Sequence, residues 1–327
     1  MLVLRADPWA PEYGMGFEAV VEETVRDTLP HADPFVETDD WSRPFSPAQS
    51  TPETVWFVDG VRRVELRLVA DDGPRRAQGL FGSYAVGSVR CDGRATFDEH
   101  RVCRALVLSG GLAPDRMEVL VGTGSLCFES ATATGTDPNA PLQRLQDLMR
   151  EEERALAARL ALGGASLVLV DGPLRLGDEP ESHAVGVVKR FVRRYLEPDQ
   201  EALLGRLGAG QRTPVFGLLD QRGQLRGFSW YARLSELRPP WHDHAGLVRC
   251  EVRAGVGVDA AVELAERVTA LLPGFAGRAA DPRTPQNLAP VAGLEGWLRH
   301  RMGNHAMVRR ALLESLWQGA QPKEAEG

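Results

Sequence analysis

Ser166-Leu167-Val168-Leu169-Val170-Asp171-Gly172-Pro173-Leu174 is the stretch on which the fold turns. Four consecutive apolar residues, Leu167 to Val170, read as a strand buried on both faces, which calls for a sheet covered by helices on either side. The strand ends in a carboxylate. Gly172-Pro173 forces an immediate turn, so Asp171 is expected at a strand tip facing a crevice rather than in bulk solvent. The same pattern occurs upstream, where Val55-Trp56-Phe57-Val58 leads into Asp59-Gly60. Two apolar strands each ending in Asp-Gly make Asp59 and Asp171 candidates for one acidic site, and clustered carboxylate oxygens are the preferred ligands of hard divalent cations.

Working outward, the chain has 327 residues, 43% hydrophobic and 25% charged, which is the composition of a soluble globular protein with a sizeable core. No apolar run approaches the ~18 residues that would span a bilayer. The opening MLVLRADPWAPEYG lacks the basic start and apolar stretch of a signal peptide, so a cytoplasmic protein without membrane contact is expected. Cys91, Cys103, Cys127 and Cys250 have no metal-ligand spacing and are expected to be reduced thiols. The net charge of −7 gives no global signal for nucleic acid, which local arginine clusters could still bind. The only lysines are Lys189 and Lys323, in a chain whose other cations are Arg. Lys323 falls in a polar tail. A lone compact ammonium at Lys189 points to a specific contact with a phosphate or a carboxylate cluster.

Residues 1–51 read as an N-terminal arm rich in Pro and acids, with a helix expected from Gly16 to Thr28. From Thr54 to Phe128 the alternation of apolar and polar residues predicts an antiparallel meander, with turns at Asp72-Gly73 and Asp92-Gly93. A helix is predicted from Pro141 to about Leu162, with Leu142, Leu145, Leu148, Met149, Leu156 and Leu160 on one face. Glu152 and Glu153 flank that stripe, within reach of a buried seam where a carboxylate is costly unless paired or bound to metal. AVGVVKRF predicts a further buried strand carrying Lys189. Then come a helix from Asp199 to Leu207, a hairpin turning at Gln221 to Gly223, the strand LVRCEVRA, a helix from Ala260 to Leu272, and two helices broken near Gly303-Asn304. Residues 318–327 read as a disordered tail. Trp241-His242-Asp243-His244, after Pro239-Pro240, reads as a surface turn rather than a metal site.

Meander, helix, then a strand ending in Asp is the element order of the ribonuclease H-like fold, an α/β mixed sheet flanked by helices. In that order Asp59, Glu152 and Asp171 could converge on two divalent ions, which about 3.5–4 Å apart clamp both oxygens of an in-line phosphoryl displacement. A slip of one residue in the helix would put Glu153 in place of Glu152.

Phe57-Val58-Asp59-Gly60, MREEERALAARL leading into LVLVDGPL, GVVKR, VRCEVRA and the closing PQNLAPVAGLE together resemble the successive blocks of the NurA nucleases, in the same order. The resemblance implies a ribonuclease H-like nuclease domain over 52–317 and Mn²⁺-dependent cleavage of DNA, with Mg²⁺ as the other candidate ion. It further implies 5′-to-3′ exonuclease and single-strand endonuclease activity, a homodimer, and partnership with a HerA-like hexameric ATPase in end resection and repair. Carried over by position, the metal ligands are Asp59, Glu152 and Asp171, with Lys189 beside them as a fourth catalytic residue. The chain departs from the family in having Val61 after the first Asp-Gly, and Leu294-Glu295 where archaeal members carry an Ala-His pair. Glu295, His300 or His305 could stand in for that histidine. The rival reading is a non-catalytic DNA-binding or structural subunit on the same scaffold, which the presence of all three acids disfavours.

Overall fold

The computed structural model describes residues 2–7, 31–48, 53–174, 184–189, 194–236, 243–277 and 287–320. The helix expected from Gly16 to Thr28, and His242, lie outside them. The described strands are β1 (Val3–Ala6), β2 (His31–Asp33), β3 (Val55–Asp72), β4 (Arg75–Cys91), β5 (Ala95–Leu108), β6 (Met117–Val121), β7 (Gly124–Thr132), β8 (Val168–Asp171), β9 (Ala184–Val188), β10 (Phe216–Leu219), β11 (Leu225–Arg233) and β12 (Leu247–Arg253). They form one mixed sheet in the order β2-β10-β11-β12-β9-β8-β3-β4-β5-β7-β6, with β1 added on β3. The long antiparallel unit β3-β4-β5 is continued on its other side by β8 and β9, each parallel to β3. A helix connects the two halves, and the result is a ribonuclease H-like sheet.

Helix α1 (Ala140–Leu162) covers one face. Pro141 lies in its first turn, where a missing N–H leaves no bond unmade. Leu142, Leu145, Met149 and Leu156 pack there on Val58, Val86, Val168 and Val170. The opposite face is covered by α3 (Val258–Leu271) and α4 (Ala289–Arg301), whose Leu264, Val268, Val291, Leu294 and Leu298 bury Phe57, Leu169, Val187 and Trp230. Helix α2 (Pro198–Glu201) is a single turn where a longer helix was expected, and α5 (His305–Ala320) follows α4 after the expected break. No described helix is long and apolar enough to cross a membrane.

Two expectations are corrected. Strand β3 does not end at Asp59-Gly60: it runs on to Asp72, because β4 keeps pairing through Asp59↔Gly87 and Gly60↔Val86. The meander is not antiparallel throughout, since β7 pairs parallel to β5 after the chain reverses at Gly110-Gly111, both in the left-handed region. The described parts of the N-terminal arm are part of the sheet. There β1 pairs with Leu68–Asp71 of β3, β2 pairs with β10, and Trp41 is buried against Phe216. Buried Arg212 holds this segment down, donating to both Glu37 oxygens at 2.8 Å and to Glu266 of α3.

Candidate metal centre

Register brings the two aspartates together. Val58 on β3 is opposite Val170 on β8, so the next residues, Asp59 and Asp171, stand side by side where the parallel pairing stops. Phe57 and Leu169, two positions back, pack with α3 and α4, and strand alternation therefore turns both carboxylates to the same face. Asp171 is the last residue of β8. Gly172, with φ 100°, makes the turn, and its N–H donates to Val187 O at 2.9 Å. Glu251 of β12 accepts the Leu174 N–H at 2.6 Å, which ties down the segment after the turn.

The third carboxylate comes from α4. One oxygen each from Asp59, Asp171 and Glu295 lie within 4.8 Å of one another. Glu295 sits one turn beyond Val291 and next to Leu294, two buried anchors of α4, and its Oε2 accepts from Arg299 at 3.1 Å. The C-terminal end of α4 is fixed from below. Arg63 donates to Gly303 O at 2.9 Å and Arg104 to Met302 O at 3.2 Å, satisfying carbonyls that a helix end leaves without partners. Arg63 is held in turn by Glu65, at 2.7 Å. Glu65 is the extra residue of a bulge in β3, between Val64↔Gly82 and Leu66↔Phe81.

A fourth carboxylate approaches from the α1 side. Gly60 faces α1, and a Cβ there would collide with Glu153 Oε1 and with Met149 Cγ at 2.9 Å, so the missing side chain makes the room that Glu153 occupies. Asp59 feels all of this. Burial above all, then the charges of Asp171, Glu153 and Glu295, push its pKa well above the ordinary carboxylate value, against the opposing pull of the Lys189 charge. Lys189, just past β9, places Nζ 2.7 Å from Asp171 Oδ1.

The donor set suits a hard divalent ion. It is all carboxylate oxygen, and ligands at about 2.0–2.6 Å from one ion lie up to about 4–5 Å apart, as these do. Asp59 Oδ2 is buried and accepts no hydrogen bond from the described residues, which is costly unless a cation or proton satisfies it.

No family model and no curated protein matches this chain. Solved structures similar to it include endonuclease V proteins. The catalytic domain of human endonuclease V is 16% identical over 85% of this chain and 91% of that one, with a TM-score of 0.35. Endonuclease V of Ciona intestinalis in complex with an inosine-containing 24mer DNA is 8% identical, over 77% of this chain and 87% of that one, with a TM-score of 0.33.

The residues singled out from sequence fall into two groups. Asp59, Asp171 and Glu295 converge, with Glu153 and Lys189 against them. Glu152 is elsewhere: it accepts from Arg101 of β5 at 2.9 Å and 3.0 Å. The helix register explains the difference. Pro141, Leu145, Met149, Glu153 and Ala157 form one buried row at four-residue spacing, and Glu152 lies one residue off it. His305 lies at Glu65, 3.7 Å from Oε2, and not at the carboxylate cluster. His300 is exposed on the last turn of α4. Burial of Glu65 is not legible in the sequence, where VRRVELRLVA reads as plain alternation. Only the bulge brings it inside.

Proposed function

We propose that this chain is a metal-dependent deoxyribonuclease that hydrolyses phosphodiester bonds at the cluster of Asp59, Asp171 and Glu295. The single observation that carries the reading is the convergence of these three carboxylates, from β3, β8 and α4 of a ribonuclease H-like sheet, around a buried Asp59 oxygen with no hydrogen-bond donor among the described residues. Bound there, one or two Mn²⁺ or Mg²⁺ ions would offset phosphate charge and favour in-line attack of water. The protein's own part is to hold and orient. Asp59 and Asp171 sit on adjacent strands, so their spacing is as rigid as the sheet. Glu295 is held by the anchored α4, and Glu153 supplies a further carboxylate over Gly60. Lys189 sets a positive charge against Asp171 Oδ1, and is near enough to the cluster to donate to a non-bridging phosphate oxygen.

The finer reading rests on the resemblance to the NurA nucleases: 5′-to-3′ exonuclease and single-strand endonuclease activity on single strands and duplex ends, a homodimer, and work beside a HerA-like hexameric ATPase in end resection. Exposed Met307, Leu313 and Trp317 on α5 supply an apolar surface consistent with such assembly, while Val308 and Leu312 of the same helix are buried in its own core. The test is a cleavage assay on single-stranded and duplex DNA, labelled at either end, with Mn²⁺, Mg²⁺ or EDTA. The reading requires cleavage that needs the metal, with mononucleotides released first from the 5′ end. Intact substrate under every metal condition would refute it.

A further inference from the structure

The strand pairing of β5 contains a device that the cleavage chemistry does not use. Val89 of β4 pairs with Phe97 and Gly87 with His100, so β5 uses one residue more than β4 over this interval. Glu99 N donates to Ser88 Oγ at 3.2 Å within this bulge. Residues three apart on a regular strand face opposite sides. Here the bulge turns Phe97 and His100 to the same side, the α4 side, as bulges near functional sites often re-aim a side chain. Both rings then pack on Trp297 of α4. Phe97 is stacked on it with centroids 4.7 Å apart and an interplanar angle of 8°, and His100 meets it edge-on, also at 4.7 Å. Arg301 completes the group, 5.7 Å from the Trp297 ring centre and donating to His100 at 3.1 Å.

This packing does not bury Phe97, which is 42% exposed and lies outside the hydrophobic cores. The shelf is also in register with the acidic cluster. Asp59 pairs with Gly87, and Gly87 with His100, so the shelf stands two strand spacings across the same face, roughly 10 Å away. That is about three nucleotides of stacked strand at about 3.4 Å each. Helix α4 carries both Glu295 and Trp297, which fixes the two sites to one rigid element.

We infer that Phe97, backed by Trp297 and flanked by His100 and Arg301, is a stacking platform for an unpaired nucleobase of the strand whose backbone lies over Asp59, Asp171 and Glu295. This rests on the nuclease reading and adds a substrate class to it: the strand must be single near the cut. An exposed planar ring, backed by a Trp297 ring that carries a guanidinium, offers a base one π face and its phosphate one cation, and every base has a π face, so the contact selects unpaired bases without selecting sequence. A paired base in a duplex has its faces covered by its neighbours and cannot use the platform.

The test measures binding of the full chain, in EDTA, to a labelled single-stranded oligonucleotide and to the same sequence as a blunt duplex. Phe97→Leu should weaken single-strand binding roughly 5- to 100-fold and leave duplex binding unchanged, and Phe97→Trp should restore it. A single abasic position moved along the oligonucleotide should weaken wild-type binding at one register and have no such effect in Phe97→Leu. With the wild-type chain, 5-iododeoxyuridine at that register should photocrosslink to Phe97 or Trp297, a readout that needs no variant to fold. Equal single-strand affinity in Phe97→Leu, an abasic penalty that survives the substitution, or crosslinks mapping elsewhere would each overturn the platform. If the wild type cuts DNA with Mn²⁺ while these results are negative, only the platform fails. If it neither binds nor cuts DNA, the nuclease reading fails with it.

Discussion

The Lys189 ammonium lies 2.7 Å from Oδ1 of Asp171, with both side chains less than one-fifth exposed, at the point where four carboxylates gather. Its charge opposes the repulsion that Asp171, Glu153 and Glu295 exert on Asp59. Lys189→Met should therefore lower metal-free stability by about 1–3 kcal/mol, the range for a buried acceptor that loses the group opposite it. Lys189→Arg should keep that stability while losing most cleavage, because a planar guanidinium cannot reproduce a point contact. Urea unfolding in EDTA checks the first claim: a Lys189→Met midpoint equal to wild type would show that the bridge contributes nothing.

Gly60→Ala tests the approach of Glu153. The added methyl meets the Glu153 carboxylate and Met149, so a destabilisation of about 1–3 kcal/mol is expected from overpacking. Metal binding should weaken as well, since the carboxylate must retreat. Calorimetric titration with Mn²⁺ reads this directly, and an unchanged affinity would remove Glu153 from the metal site.

Asp59 gives a pH dependence with a defined sign. Its folded pKa is raised well above the usual value near 3.8, so between the two values the folded chain binds more protons than the unfolded one. Metal-free stability from this group is therefore complete below about pH 4 and is lost as pH rises through the raised pKa. Asp59→Asn should raise the metal-free Tm at neutral pH while abolishing metal binding. Over the same interval the metal must displace a proton, so wild-type affinity for Mn²⁺ should rise by up to about tenfold per pH unit. A metal-free Tm that does not change between wild type and Asp59→Asn would contradict the strain assigned to the cluster.

Much of this site could be read in the sequence, and what could not has identifiable causes. SLVLVDGPL announces a doubly buried strand because both of its faces are apolar, and Asp171 falls at its end as expected. Asp59-Gly60 has the same letters but a different role. Asp-Gly is a common turn, and nothing local reveals that β4 continues the pairing and that Gly60 is needed for clearance. Glu152 and Glu153 are adjacent, and a stripe centred on all the leucines gives weight to Leu148 and Leu160, which are only partly buried. The row at four-residue spacing from Pro141 to Ala157 would have selected Glu153. Glu295 was visible only as an acid beside Leu294. The aromatic shelf was not visible, because it depends on a bulge that brings Phe97 and His100 to one side.

Arg212 is fully buried between Glu37 and Glu266, and it ties the segment containing β2 and Trp41 to α3. Arg212→Ala leaves two acids without their cation and should cost about 3–5 kcal/mol, the usual penalty for breaking a buried pair. Hydrogen exchange should then speed up first at Phe45 N, which bonds Arg212 O, and at Val215 N, which bonds Glu37. Uniform acceleration across the sheet, with no excess at these amides, would argue against a local anchoring role.

The most direct measurement is single-turnover cleavage of a 5′-labelled single strand with Mn²⁺, comparing Asp59→Asn, Asp171→Asn, Glu295→Gln and Glu152→Gln with the wild type. Loss of an essential metal ligand should reduce the rate by at least about 10³-fold, equivalent to roughly 4 kcal/mol of barrier. The first three variants should show that loss, and Glu152→Gln, whose carboxylate is engaged by Arg101, should cut within a few-fold of wild type. Wild-type rates in Asp171→Asn and Glu295→Gln, or abolition by Glu152→Gln alone, would contradict the assignment of the metal centre.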